Sequence, residues 1–379
     1  MAQIKTMHAG SLPRPADLYE MVLAKEAGKP YDEQAFEHRL RDAVAEVVRL
    51  QADVGLDSVN DGEFAKSNFS NYMRERLGGF EERTSDGGVR VSISDRDKAG
   101  GFAEYFAIGG RAAIGQQQSR FYCAEPLAYV GHAPLSRDLA NFKAALDGVS
   151  GVEPFLPAVA PGTIEHWLIN DHYPDDESFV YAIADAMHDE YKAITDAGFL
   201  LQIDDPDLAD AWQLHTEMDV PAYRRFAEMR LDALNHALRD IPREQIRFHM
   251  CWGSYHGPHK FDIPLADIVD LILKVKASSY SIEASNPAHL HEWALWKDVK
   301  LPENAKLIPG VVGHHSDFIE HPDLVAERLV RYADLVGRDN VMGGTDCGLG
   351  TRVGHPTIAW AKFESLVEGA RRASEQLFG

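Results

Sequence analysis

With 379 residues, 45% apolar and 26% charged, the chain has globular composition, which excludes disorder along its whole length. Its formal net charge of −21, with no local basic patch to offset it, excludes nucleic acid and an anionic membrane surface as partners. No apolar run is long enough to span a bilayer and the opening MAQIKTMHAGSLPRP lacks a signal-peptide core. Cys123, Cys251 and Cys347 are too few for a disulfide framework, so a cytosolic protein with reduced thiols is expected.

Short apolar runs alternate with longer segments of helical period. IKTMHAG at 4–10 comes first. EHRLRDAVAEVVRLQADVG at 37–55 repeats apolar residues near i, i+3, i+4 and i+7 and stops at Gly55, which predicts a helix. LDSVNDG at 56–62 and FLPAVAP at 155–161 are the next two runs. FVYAIADAMHDEYKAITDAG at 179–198 predicts a second helix, closed by Gly198, and FLLQIDD follows at 199–205. PAYRRFAEMRLDALNHAL at 221–238 places Pro221 at a helix start, before IRFHMCW at 246–252. SYSIEAS at 279–285 and KLIPGVV at 306–312 come next. A helix at 322–337 then opens with Pro322 and closes with Gly337, and NVMGGTD at 340–346 ends the series.

Eight strand–helix units predict an α/β fold of the (βα)8 TIM-barrel type over residues 1–379, in one domain. An open, doubly wound parallel sheet is the alternative. The wide gap between the second run and the third holds a Gly-rich stretch, about 78–150, with alternating pieces such as VRVSIS at 89–94. It reads as an insertion between strands 2 and 3, forming a hairpin or lid over one barrel end.

In such a barrel the C-terminal strand ends meet at one mouth. The residues there are Gly10 and Ser11; Asp61 and Glu63; Thr163 and Trp167; Asp204 and Asp205; His249 and Cys251; Glu283; His314 and His315; Asp346 and Cys347. His249 and Cys251 stand at i and i+2, so both side chains leave a strand on the same side and can hold one ion. Glu283 and Cys347 end nearby strands. A His/Cys/Cys set with a carboxylate suits Zn2+, which tolerates mixed N, O and S donors. Such an ion holds a substrate sulfur as thiolate at neutral pH. Thiolate ligands make zinc-bound water less acidic, so the set favours thiol alkylation over hydrolysis.

Seven motifs in order carry a resemblance. GSLPRP at 10–15, DGEFAKSNFSNYM at 61–73, QIDDP at 202–206 and HMC at 249–251 resemble segments of the catalytic barrel of the cobalamin-independent methionine synthase family. SIEAS at 281–285, GVVGHHS at 310–316 and TDCGLGTR at 345–352 continue the likeness. The resemblance implies one zinc held by His249, Cys251, Glu283 and Cys347, and methyl transfer to a homocysteine-like thiol. It implies that Gly10, Ser11, Glu63 and Asp204 bind the amino-acid part of that thiol. Trp167 stands where the family stacks the pterin of methyl-folate, so it is expected to bind substrate. His315 falls on the family's proton-relay histidine and, with Asp204, forms the expected catalytic pair. His314 beside it is read as solvated.

The chain departs from the family at identifiable places. It is too short for a second barrel. Asp205 replaces a glutamate, Glu165 and His166 stand where the family is apolar, and WGSYHGPHKFDIP at 252–264 is a longer, His-rich loop. These changes bear on the alkyl donor, which methyl-folate or a partner protein could supply, and leave zinc–thiol activation intact. The related epoxyalkane:coenzyme M transferases open an epoxide with a zinc-bound thiolate, but their sulfonate thiol calls for cations where this chain has Glu63 and Asp204. Uroporphyrinogen-type decarboxylases share the barrel without the zinc set. A non-catalytic structural-zinc protein is the remaining class.

Overall fold

A computed structural model describes residues 3–89, 94–108, 117–350 and 352–379. The helices begin and end where local chemistry directs. Asp32 accepts a hydrogen bond from the Ala35 N–H at 3.0 Å and opens helix Glu33–Val54, and Gly55 closes it in the left-handed region at φ 95°. That helix buries Phe36, Leu40, Val44, Val47 and Val48 along one face. Asp175 caps Asp176–Asp196, and Asp219 caps Val220–Ala237, which carries Pro221 in its first turn. Pro322–Val336 matches the expected fourth helix.

The strands in chain order are β1 (Ser58–Val59), β2 (Leu77–Val89), β3 (Gln117–Tyr129), β4 (Glu153–Val159) and β5 (Leu168–Asn170). β6 (Leu200–Asp204), β7 (Ile246–Met250), β8 (Ser279–Glu283), β9 (Lys306–Val312) and β10 (Gly344–Thr345) follow. Seven of them form one curled parallel sheet in the order β1-β4-β6-β7-β8-β9-β10. Every residue of β7 and β8 is buried, as expected for strands covered on both faces. The segment around Thr6 bonds to both edges of this sheet. The Met7 N–H donates to the Gly343 carbonyl at 2.9 Å, and the Ser58 N–H to the Thr6 carbonyl at 3.1 Å.

Two of the eight expected units lack a full helix. β7 is followed by a 3-10 turn at Leu265–Asp267 and the four-residue helix Val269–Ile272. β8 is followed by the 3-10 helix Leu290–Lys297. The intervening loops carry Gly253, Gly257, Pro258, Pro264 and Pro287, which break helical pairing.

Between β1 and β4, β2 and β3 form an antiparallel hairpin, with Leu77 opposite Tyr129 and Phe80 opposite Cys123. β5 joins β3 in parallel. Of the expected VRVSIS strand, Val89 ends β2 and residues 90–93 lie outside the described residues. Helical turns over 95–107 seat on the His-rich loop, where Asp97 accepts from the N–H groups of Lys260 at 3.1 Å and Phe261 at 2.9 Å. Gly100 makes this approach possible, because a side chain there would strike the Phe261 ring. Helix His132–Ala145 packs against Glu33–Val54. Among the described residues, no helix is long and apolar enough to cross a membrane.

Candidate metal centre

The parallel register assembles the centre. Asp204 of β6 is paired with His249 of β7, and His249 with Ser281 of β8. Val312 of β9 is paired with Thr345 of β10, so the residues two beyond each, His314 and Cys347, leave neighbouring strands at the same level. Donor atoms of His249, Cys251 and Cys347 all lie within 4.8 Å of one another.

This trio fits a zinc ion. Ser281 Oγ lies 3.2 Å from His249 Nδ1, while Nε2 is buried with no hydrogen-bond partner among the described residues. The sulfurs of Cys251 and Cys347 are 3.9 Å apart. Two zinc–sulfur bonds of ~2.3 Å at a tetrahedral angle would span about 3.8 Å. The Cys251 thiol donates to Cys347, and this bond, helped by His249, holds Cys347 well below the usual thiol range. The same bond, with burial, pushes Cys251 up.

Glu283, the fourth expected ligand, groups with His314 and His315 instead. Its Oε1 lies 3.1 Å from His315 Nε2, and its Oε2 accepts from the Trp252 N–H at 2.9 Å. Burial alone would raise its carboxyl, but the His315 hydrogen bond and the two histidines hold it down at about 2. His315 keeps 20% of its side chain exposed, enough to exchange a proton with a bound molecule. The reading of His314 as solvated is overturned. Its side chain is fully buried, and its ring packs on that of His315 with centroids 3.8 Å apart. Burial pushes its imidazole down to about 4.

The residues expected to bind an amino-acid thiol border this centre. Gly10 adopts φ +136°, and a side chain there would collide with the Glu63 carboxylate. Glu63 stands in the left-handed region at φ 58°, its N–H held by Asp61 Oδ1 at 2.9 Å. Ser11 packs against Gly348, the neighbour of Cys347. Burial raises the Asp204 carboxyl to about 7, with Glu63 adding to the effect, while the Gln202 amide donates to it at 2.8 Å. Lys66 escaped the strand-end reading: its Nζ lies 3.2 Å from Glu63 Oε2, an i, i+3 pair within the DGEFAK segment.

Trp167 ends helix Pro161–Trp167 and stacks on His166, with centroids 4.9 Å apart. Its indole N–H is buried with no hydrogen-bond partner among the described residues. A cavity of about 410 Å³ opens beside the same helix, lined by Glu165, His166, Asp205, Asp207 and Arg230 and by Asp95 and Arg120 of the insertion. Arg230 pairs with Glu165 at 2.6 Å, His166 with Asp207, and Thr163 donates to Asp205 at 3.0 Å. Asp207 and Arg230 lie on helices, away from the strand ends, and no sequence signal marked them.

The family model described as "Cobalamin-independent synthase, Catalytic domain" matches residues 4–110 and 153–372, leaving out much of the insertion. A methionine synthase of Pyrococcus furiosus is 26% identical over 375 residues, 99% of this chain and 94% of that protein. A methionine synthase of Saccharolobus islandicus is 26% identical over 383 residues, covering 99% of this chain and 96% of its own length. A B12-independent methionine synthase from Shewanella sp. W3-18-1, solved with selenomethionine, has a TM-score of 0.74 at 19% identity, covering 99% of each chain.

Proposed function

The chain belongs to the cobalamin-independent methionine synthase family, and from that premise we propose that it transfers an alkyl group, a methyl group in the first instance, to a homocysteine-like thiol in a zinc-dependent reaction. The relatives named methionine synthase support this reading. The observation that carries it is the trio His249, Cys251 and Cys347, with sulfurs 3.9 Å apart and a buried, unpartnered imidazole nitrogen. The scaffold we propose is one (βα)8 barrel over 1–379, its eighth stave the Thr6 segment, with the hairpin-bearing insertion set over the mouth.

His249, Cys251 and Cys347 would hold the ion, with Glu283 as the carboxylate donor of the same mouth. When bound, zinc supplies the charge that keeps a substrate thiol deprotonated near neutral pH. Glu63 and Asp204 accept hydrogen bonds from the substrate ammonium, and Ser11 with its neighbouring backbone holds the carboxylate. Gly10 leaves the space that Glu63 occupies. His315, bonded to Glu283 and partly open, gives a proton to the departing atom of the donor as the new sulfur–carbon bond forms. Trp167 and the charged cavity beside it receive the donor, whether methyl-folate or a molecule delivered by a partner protein.

The test is zinc-loaded protein incubated with homocysteine and, separately, methyl-folate, a sulfonium donor and an epoxide, with products read by mass spectrometry. S-methylation is expected, together with about one zinc per chain. Cys251→Ser and Cys347→Ser should lose both. Metal-free protein that still alkylates a thiol overturns the reading.

One observation favours a second reading. Lys66 sets a cation 3.2 Å from Glu63, in the pocket where a sulfonate thiol such as coenzyme M would need one. Epoxide opening by that thiol, with no reaction of homocysteine, would establish it.

A further inference from the structure

We propose that Asp262 is a positioning residue for proton transfer at the mouth: it fixes the imidazoles of His259 and His289, which seat His315 and the Trp252 backbone that holds Glu283. This deepens the proposed function and rests on its reading of His315 as the proton donor.

The inference starts from the His-rich loop at 252–264, where the chain departs from its family and which the proposed reaction leaves unused. The loop folds around one carboxylate. Asp262 Oδ2 lies 2.7 Å from His259 Nδ1 and 3.1 Å from His289 Nε2. Its Oδ1 accepts from the Gln213 amide at 2.7 Å. The oxygen of that amide accepts from the Asp97 N–H at 3.1 Å, which registers the insertion on the same group. The side chains of Asp262, His259 and His289 are 3%, 6% and 5% exposed, so this is no solvated charge cluster.

Hydrogen-bond chemistry fixes the state of both rings. His289 also faces Glu292 Oε2 with Nδ1, at 3.0 Å. Carboxylate oxygens only accept, so both nitrogens of His289 donate and the ring is a cation. Burial opposes that charge, but the bonds to Asp262 and Glu292 hold the imidazole up at about 9. His259 faces Asp262 with one nitrogen and the Tyr255 carbonyl with the other, at 3.2 Å, so it too donates twice.

The held rings reach the proton-transfer pair from two sides. His259 meets the His315 ring at 63°, with centroids 5.5 Å apart. Its backbone stands in the left-handed region at φ 51°, a conformation that persists where the surroundings fix it. His289 stacks on the Trp252 ring with centroids 3.6 Å apart, and the Trp252 N–H donates to Glu283 Oε2 at 2.9 Å. The other oxygen of Glu283 is the one bonded to His315. Asp262 therefore acts on this pair through two imidazoles.

Steady-state kinetics of the full-length, zinc-loaded protein tests this. Homocysteine is paired with methyl-folate or an epoxide, whose leaving atom needs a proton, and with a sulfonium, which leaves neutral. Asp262→Asn keeps the shape, but either orientation of its amide points an N–H at a donor, the two imidazoles or Gln213. It should lower kcat with the proton-requiring donors by roughly 10- to 100-fold. The KM for homocysteine, the zinc content and the sulfonium reaction should not change. Added to His315→Asn, it should cost nothing further, because both act on one step. His259→Asn tolerates the left-handed backbone and removes one ring outright. It should repeat the donor-selective loss, and it covers an Asp262 variant that fails to fold. Equal slowing with both donor classes, no slowing with either, or an additive loss in the His315→Asn protein overturns the proposal. A parent protein that uses only the sulfonium overturns it as well. A parent that alkylates no thiol, or a His315→Asn variant without donor preference, refutes the proposed function or its proton donor, and this inference with it.

Discussion

The two sides of the mouth are built on opposite plans. The β7–β10 side carries metal-binding donors: two cysteine sulfurs, two buried imidazoles and one carboxylate paired with a histidine. The β4–β6 side carries hard charges in pairs, Glu165 with Arg230 and His166 with Asp207, around a cavity of about 410 Å³. The first side carries four of the segments that resemble the family's, with a departure in the His-rich loop after β7, and the second departs at Glu165, His166 and Asp205. Activation of the acceptor thiol depends on a few atoms in a narrow geometry, which leaves little room to vary. If the larger cavity receives the donor, as proposed, its shape and charge can be rebuilt without disturbing the metal centre.

This contrast can be tested by perturbing each side. The largest effect is expected at His315, where a departing alkoxide or amide needs a proton. His315→Asn should keep zinc and thiol binding and lower turnover by roughly 10²- to 10⁴-fold with donors that leave as anions. A sulfonium donor, which leaves neutral, should be nearly unaffected. Equal slowing with both donor classes, or loss of zinc, would make His315 structural.

A smaller effect is expected at Glu63. Removing its charge takes one partner from the substrate ammonium, and a charge-assisted hydrogen bond is worth about 1.5–3 kcal/mol. Affinity for an amino-acid thiol in calorimetry should then fall about ten- to hundredfold in Glu63→Gln, and a thiol without the amine should bind both proteins alike. Improved binding of a sulfonate thiol would instead show that Lys66, freed from Glu63, is the anchoring group.

The smallest effect is expected on the charged side, and it appears in stability. Burial outweighs Arg230 and holds the Glu165 carboxyl up at about 7, against an ordinary 4.5. Between those values the folded protein keeps a proton that the unfolded chain has released, so this group's contribution to stability falls as pH rises from 4.5 to about 7. Glu165→Gln, which stays neutral, should match the parent in thermal melts near pH 4.5 and exceed it above pH 7. Parallel melting curves across that range would show that Arg230 keeps Glu165 ionised throughout. Neither outcome should change the zinc content, because the two sides are independent in this account.

Much of the β7–β10 side was legible in the sequence. His249 and Cys251 stand at i and i+2 of an apolar run, so strand geometry alone put them on one side. Cys347 and Glu283 end other runs, and parallel strands bring their C-terminal ends to one rim. Glu283 was expected to complete the ligand set, yet the folded chain turns it toward His315 and Trp252. His314 looked like a solvated neighbour of His315, because no periodicity distinguishes a turn residue that folds inward from one that folds out.

Hydrophobic period, caps and glycine stops act over a few residues, so local pattern was enough to mark the strands of the parallel sheet, the principal helices and the strand ends on which the chemical residues gather. The burial of His314, the pairing of Glu283 with His315 and the cavity between helices Pro161–Trp167 and Val220–Ala237 arise only from long-range packing. It also decided that residues 95–107 seat on the His-rich loop through Asp97. Each of these depends on how side chains far apart in the chain exclude water from one another. Arg230 meets Glu165 across 65 positions, and no local pattern encodes such a meeting.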